Sequence, residues 1–238
     1  MTPPRFDALL VTCEHATNAV PARFKRAFAR RPGVLKTHRG WDPGAAVLAR
    51  ELEHAFGVKA HYGRMTRLLI DLNRREQSPT LCSEFTPHEA RTALIETYHR
   101  PWREAVLAEA RELCRKGLLL HVSCHSFVPA WLGVVREVDI ALLYDPRRKL
   151  ERETALEWQH GLRQTRPGFR VRRNFPYRGV TDGVCTWLRK QLPANRYAGL
   201  EIEMNHLFSA LPARQWGDIR AAIVAAARAN IGVPAGKR

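Results

Sequence analysis

Hydrophobic positions along the chain gather into short continuous runs separated by longer stretches of mixed polarity. Residues 7–13 (Asp-Ala-Leu-Leu-Val-Thr-Cys) form one such run and 118–124 (Leu-Leu-Leu-His-Val-Ser-Cys) another. Runs of this kind mark strands buried on both faces. Further strands are predicted over 58–62, 68–72, 138–144, 169–172 and 198–204. Asp42-Pro43 opens a helix, because aspartate accepts hydrogen bonds from orphan N–H groups and proline fits the first turn. Ala46, Val47, Leu52 and Phe56 form its apolar face, and Gly57 closes it. A basic helix is predicted over 21–31, stopped by Pro32-Gly33, and a long one over 87–116, interrupted near Pro101 and ended by Gly117. Others fall at about 150–165 and 182–192, with an alanine-rich one over Ala213–Asn230. The early strand–helix–strand order is the unit that builds parallel sheets. With no repeat, low-complexity tract or compositional break, residues 1–238 read as a single α/β domain.

A chain of 238 residues, 45% apolar and 26% charged, suffices for a substantial core and has a globular balance. Disorder is excluded on that ground. Membrane insertion is excluded by the lack of any apolar run near the roughly 20 residues a bilayer demands. The opening Met-Thr-Pro-Pro-Arg-Phe-Asp has no cationic stretch leading into a long apolar region, so a cytoplasmic location is expected. Five cysteines, an odd number without a CxxC pair, argue against a disulfide framework and a cysteine-rich zinc module. The unusual bulk property is charge: 39 Lys and Arg against 23 Asp and Glu, a net +16. Such a chain attracts anions, whether acidic metabolites or nucleic acid, or it simply carries an arginine-biased composition. No nucleic-acid motif is recognisable and few aromatics stand beside the arginines, which argues against the nucleic-acid partner.

In open α/β sheets ligands bind outside the carboxyl ends of the strands. Polar residues gather there at Glu14-His15, at 71–74, at His125-Ser126 and at Glu201 and Glu203. Two histidines and a carboxylate from separate strand ends can make a three-ligand zinc site with an open position. Such a site hydrolyses amides, with an unligated carboxylate moving the proton. Arginine and asparagine grip a substrate carboxylate or an oxyanion, and Arg67, Asn73 and Arg74 are candidates. Each residue also has a plain reading. A histidine at a strand end is commonly a hydrogen-bonded structural residue, and Asp42 is sufficiently explained as a helix cap. Glu201 and Glu203 share a strand face and could pair with arginines, and Asp71 and Arg74 could pair with each other. Ser126 lacks the GxSxG elbow of a serine nucleophile.

Longer segments sharpen this choice. Cys13-Glu14-His15-Ala16-Thr17-Asn18 with Val20-Pro21, Gly40-Trp41-Asp42-Pro43-Gly44-Ala45, and Thr66-Arg67-Leu68-Leu69-Ile70-Asp71-Leu72-Asn73-Arg74 resemble the N-formylglutamate amidohydrolase family. So do Tyr98-His99, His125-Ser126-Phe127-Val128-Pro129, Asn174-Phe175-Pro176-Tyr177 and Leu200-Glu201-Ile202-Glu203-Met204-Asn205, in the same order over nearly the whole chain. The resemblance implies a three-layer α/β/α fold with a mostly parallel mixed sheet, similar to zinc-dependent exopeptidases of the carboxypeptidase type. It implies one divalent ion per chain, zinc, held by His15, Asp42 and His125. The usual His-x-x-Glu motif would put a carboxylate at position 18, where Asn18 stands, so Glu14 and His38 are the other neighbours able to complete the site. By the same resemblance Glu201 is the catalytic carboxylate, Arg67 stabilises the oxyanion, and Asn73 and Arg74 bind the substrate carboxylate. The implied reaction is metal-dependent hydrolysis of a small anionic N-acyl amino acid. N-formyl-L-glutamate would give formate and L-glutamate, as in histidine degradation. The alternatives are the same chemistry on another anionic N-acyl or peptide substrate, and a non-catalytic basic nucleic-acid-binding protein.

Overall fold

A computed structural model describes residues 5–232. After β1 (Ala8–Cys13) come two 3-10 segments, Ala22–Phe28 and Pro32–Lys36, then α1 (Ala45–Phe56) and β2 (Ala60–Tyr62). A 3-10 turn, His88–Ala90, leads through α2 (Arg91–Leu94) and a π-helical turn, Ile95–His99, into α3 (Arg100–Lys116). The chain continues through β3 (Leu119–Phe127), a small hairpin of β4 (Ala130–Trp131) and β5 (Val134–Val135), β6 (Ile140–Leu143) and α4 (Lys149–Thr165). It closes with β7 (Val171–Arg173), α5 (Val184–Gln191), β8 (Tyr197–Asn205), a 3-10 segment, His206–Ala210, and α6 (Ala213–Asn230).

The main sheet has the order β2-β1-β3-β8-β6-β7 and is parallel except where β6 meets β8. This is the mixed α/β architecture that the buried runs imply. Its centre is the pair β3 and β8, each nine residues long and buried throughout. Side chains alternate across the pleat. Leu9 and Val11 of β1, Val122 and Cys124 of β3, and Leu200 and Ile202 of β8 pack with α1, α4 and α6. On the opposite face Leu10, Leu119 and Tyr197 pack with α3 and α5 through Val106, Ala110, Val184 and Leu188. Toward the carboxyl ends of the strands, this second face changes character. Continuing the two-residue period, Thr12, His121, Ser123, His125, Glu201 and Glu203 replace the apolar side chains, all of them buried. The site occupies that polar half.

Three sequence expectations are corrected, and a fourth, the interruption near Pro101, is borne out. The predicted helix over 21–31 is a 3-10 coil anchored by buried Phe24 and Phe28, and Pro32, which has no N–H, begins a new segment. The predicted strand 68–72 is a series of turns: the Leu68 and Leu69 carbonyls accept from the Thr86 hydroxyl (3.0 and 2.8 Å) instead of a strand partner. Its apolar side chains serve a separate core with Phe28, Leu81, Phe85 and Leu94. The interruption expected near Pro101 lies just ahead of it as the π turn, which absorbs the N–H that proline cannot offer. Asp42 does not cap α1, which starts at Ala45 behind Gly44 at φ +87°, a conformation suited to glycine. Gly57, at φ +63°, closes the helix as expected.

A buried ion pair ties α4, α5 and β8 to the loops that carry Asp145 and Gly179. Arg189 Nε donates to Glu151 Oε1 (2.9 Å), Arg189 Nη2 to the Gly199 carbonyl (3.0 Å) and Nη1 to the Gly179 carbonyl. Glu151 in turn accepts from the Gly199 and Asp145 amides (3.1 and 2.8 Å). Removing one member strands a buried charge. Arg189→Ala is therefore expected to lower the unfolding free energy by about 3–5 kcal/mol. The joint replacement Glu151→Leu with Arg189→Met should cost less than Arg189→Ala alone. Urea denaturation of the two variants beside the parent measures both.

Candidate metal centre

Three side chains from separate parts of the chain meet at the polar half of the sheet. His15 follows β1, Asp42 lies in the loop before α1, and His125 sits within β3, which runs on to Phe127 and so encloses a residue expected just past its end. Asp42 Oδ2 lies 3.2 Å from His15 Nδ1 and 2.9 Å from His125 Nδ1, and the imidazole rings stand 4.9 Å apart. One donor atom from each residue falls within 4.8 Å of the others, and all three residues are buried. The carboxylate assigned to capping thus joins two histidines and also accepts the Ser126 amide (3.3 Å).

The outward nitrogens of both rings are fixed as well. His15 Nε2 lies 2.7 Å from Asp71 Oδ1. His125 Nε2 lies 3.1 Å from Glu14 Oε2 and 3.0 Å from Ser123 Oγ, whose hydroxyl donates to Glu14 (2.9 Å). Two Nδ1 atoms and a carboxylate oxygen converging, with each Nε2 braced by a carboxylate, is the donor set of a metal site with three protein ligands. The residues present fit a divalent ion. Glu14, an alternative ligand in the sequence, stands behind His125. His38 lines the cavity, but its ring packs edge-on against Trp131 (5.7 Å), outside the cluster.

Electrostatics follow from this packing. Burial pushes the Glu14 carboxyl up, but the hydrogen bond and charge of His125, with the Thr12 hydroxyl, bring it down to about 2. Against the same burial penalty, His15 and His125 hold Asp42 well below the usual carboxylate range, and Arg67 and His15 do so for Asp71. His125, although burial disfavours its imidazolium, is raised well above the ordinary value by Asp42 and Glu14. Burial, then the nearby Asp42 and Glu201 carboxylates, raise Glu203 to about 8 against the pull of His125. Burial also raises Glu201. Register puts Glu203 opposite His125 and Glu201 opposite Ser123, and Glu203 Oε2 has no hydrogen-bond partner among the described residues.

A cavity of about 570 Å³ opens over the cluster. His15, Asp42, Arg67, Asn73, Arg74, His125, Glu201 and Glu203 all line it, so the residues expected to bind metal, carry the reaction or hold substrate face one space. Arg67 Nε and Nη2 donate to Asp71 Oδ2 (3.1 and 2.7 Å), and Nη1 approaches Asp42 Oδ1 (3.5 Å). The Asp71–Arg74 pair considered in the sequence does not form, because Asp71 is taken by Arg67 and His15. Arg74 instead donates to the Asp182 carbonyl (2.7 Å), while its own carbonyl lies 2.7 Å from His99 Nε2. Asn73 Oδ1 accepts the Val184 amide (2.7 Å). Ser126 spends its hydroxyl on the Pro43 carbonyl (2.8 Å), which leaves the serine-nucleophile reading without a reactive group. Sequence reasoning missed Ser123 and Thr12 as supports. The signal was available, since Ser123 lies two residues before His125 on the same strand face and pairs in register with Thr12.

A sequence profile described as N-formylglutamate amidohydrolase matches residues 7–208. Among solved structures, a gene product of Agrobacterium tumefaciens superposes with a TM-score of 0.75 at 26% identity, covering 93% of this chain and 89% of that one. An N-formylglutamate amidohydrolase from Ralstonia eutropha superposes with a TM-score of 0.67 at 18% identity, covering 97% and 98%. No curated protein matches the sequence. Among the described residues no helix is long and apolar enough to cross a membrane.

The raised His125 fixes the sign of a pH effect. In metal-free protein the stability it contributes is complete below about pH 6.5 and is lost as pH rises through the higher folded value. Chelated protein should therefore melt at progressively lower temperature above about pH 6.5, and His125→Asn should flatten that trend. Metal uptake displaces the same proton, so apparent affinity in chelator competition should rise with pH, by about tenfold per unit for one proton.

Proposed function

The chain belongs to the N-formylglutamate amidohydrolase family, and from that premise we propose that it is a metal-dependent hydrolase of N-acyl amino acids with a free carboxylate, N-formyl-L-glutamate foremost. The observation that carries the metal dependence is the convergence of His15, Asp42 and His125 with both outward ring nitrogens braced. These three residues would hold one divalent ion, zinc, and the ion supplies Lewis acidity at the scissile carbonyl and a lowered pKa for the attacking water. The remaining work falls to the chain's own groups. Arg67, oriented by Asp71, offers positive charge to the developing oxyanion. Asn73 and Arg74 take the substrate carboxylate, Arg74 free of any ion pair among the described residues.

A buried carboxylate must accept the water's proton and return it to the departing nitrogen. The family resemblance points to Glu201, but two observations favour Glu203. It stands opposite His125 rather than one pair further back, and it is close enough to Asp42 for that carboxylate to raise it. Glu203 therefore takes the proton-carrying role in this proposal, ionised when the positive charge of a bound divalent ion offsets the burial that raises it, and Glu201 supports it from the neighbouring position. The products from N-formyl-L-glutamate are formate and L-glutamate. The five free cysteines suit a cytoplasmic enzyme of amino-acid catabolism, of the histidine-degradation type.

Steady-state hydrolysis of N-formyl-L-glutamate by metal-reconstituted protein tests this reading. Glu203→Gln is expected to retain metal while kcat falls by about 10²–10⁴-fold, with a smaller loss in Glu201→Gln. The reverse order would return the role to Glu201. Arg74→Lys should chiefly raise KM, because lysine cannot reproduce a bidentate contact. No turnover of any N-acyl amino acid would overturn the function.

A further inference from the structure

A formyl group adds a single carbon beyond the scissile nitrogen, yet the cavity does not end there. Past His38 and Arg67 it joins a groove of about 590 Å³ that shares Tyr177 with it and whose far walls include Arg39, Trp131 and Arg136. Arg67 and Arg74 line both spaces, whereas Asn73 and Glu201 line only the first, so the groove leaves the centre past the proposed oxyanion donor with Arg74 at the junction. The β4–β5 hairpin builds one wall. Its turn uses Leu132 (φ +49°) and Gly133 (φ +78°), and the Arg136 amide closes it onto the Pro129 carbonyl (2.8 Å).

Arg136 is the notable group in that wall. Its guanidinium carbon lies 5.2 Å from the centre of the Tyr177 ring and 5.8 Å from that of Trp131, and Nη1 donates to the Tyr177 hydroxyl (3.2 Å) and the Val128 carbonyl (3.4 Å). Arg39, by contrast, is neutralised by Glu84 (2.7 Å). Among the described residues Arg136 forms no ion pair. A guanidinium steadied by aromatic faces, with N–H groups still unused and no carboxylate partner, is prepared to receive one from outside.

We propose that this groove is an acyl subsite and that, besides a formyl group, the centre takes an acyl chain of several atoms ending in a carboxylate, received by Arg136. The proposal rests on the reading of the centre as an N-acyl amino acid hydrolase. Water adds to the acyl carbon and the C–N bond breaks; the acyl half leaves as a dicarboxylate and the nitrogen takes the proton. The net charge of +16 favours capture of such a polyanion.

The test compares N-succinyl-L-glutamate with N-butyryl-L-glutamate, which puts a methyl where the distal carboxylate stands. In the metal-loaded parent, kcat/KM should favour the succinyl compound by about tenfold to a hundredfold. Arg136→Ala and the longer Arg136→Gln should both bring the ratio close to one. A parent ratio near one, or a ratio unchanged in both variants, overturns the subsite. Calorimetric binding of the same two compounds gives the answer separately from turnover. If neither of these nor N-formyl-L-glutamate is hydrolysed, the hydrolase reading fails. A succinyl preference in binding that vanishes with Arg136 would still establish the subsite, and equal binding would refute it.

Discussion

The carboxylate of Asp42, buried between two imidazoles, is the constraint around which the polar half of the sheet is arranged. Burying it is costly unless positive charge and hydrogen bonds compensate. His15 and His125 come to it from β1 and β3, and each demands a partner for its second nitrogen, met by Asp71 and by Glu14 with Ser123. Asp71 then requires Arg67, and Glu14 requires the Thr12 hydroxyl (2.7 Å). The carboxylates gathered here exceed the fixed cations. A divalent ion would supply the positive charge that Asp42 and Glu14 otherwise take from imidazolium.

The network continues away from the cavity into the core. Thr12 Oγ1 lies 2.9 Å from His121 Nε2, and His121 Nδ1 lies 2.8 Å from the Tyr197 hydroxyl. Burial lowers His121 to about 4, so it stays neutral at physiological pH and ends the chain of charge without adding to it. The apolar part of the same sheet face begins at this point, with Leu10, Leu119 and Tyr197 against α3 and α5. Rigid packing below and charged partners above hold β3 and β8 in one register, which fixes the separation of His125 from Glu203.

Much of this was legible in the sequence. The runs at 7–13 and 118–124 became β1 and β3, the run at 198–204 became β8, and His15, Asp42, Arg67, Asn73, Arg74, His125 and Glu201 share one cavity. Failures have physical causes. An apolar run says that side chains are buried, not that the backbone pairs, so 68–72 looked like a strand while serving a second core through turns. Aspartate before a proline fits a helix cap by local rules, but tertiary demand from two histidines claimed the Asp42 side chain. The support of His125 by Ser123 needed the two-residue period to be read across β3, and the support from Glu14 needed a fold that returns β1 beside it.

Metal content tests the central claim most directly, by elemental analysis of protein purified without chelator or metal-affinity tag, parent beside His15→Ala and His125→Ala. The account predicts about one divalent ion per chain in the parent and loss of that ion in both variants while the fold, read by circular dichroism, persists. A parent that takes up no zinc, nickel, cobalt or manganese on reconstitution, or variants that bind metal as the parent does, would contradict it.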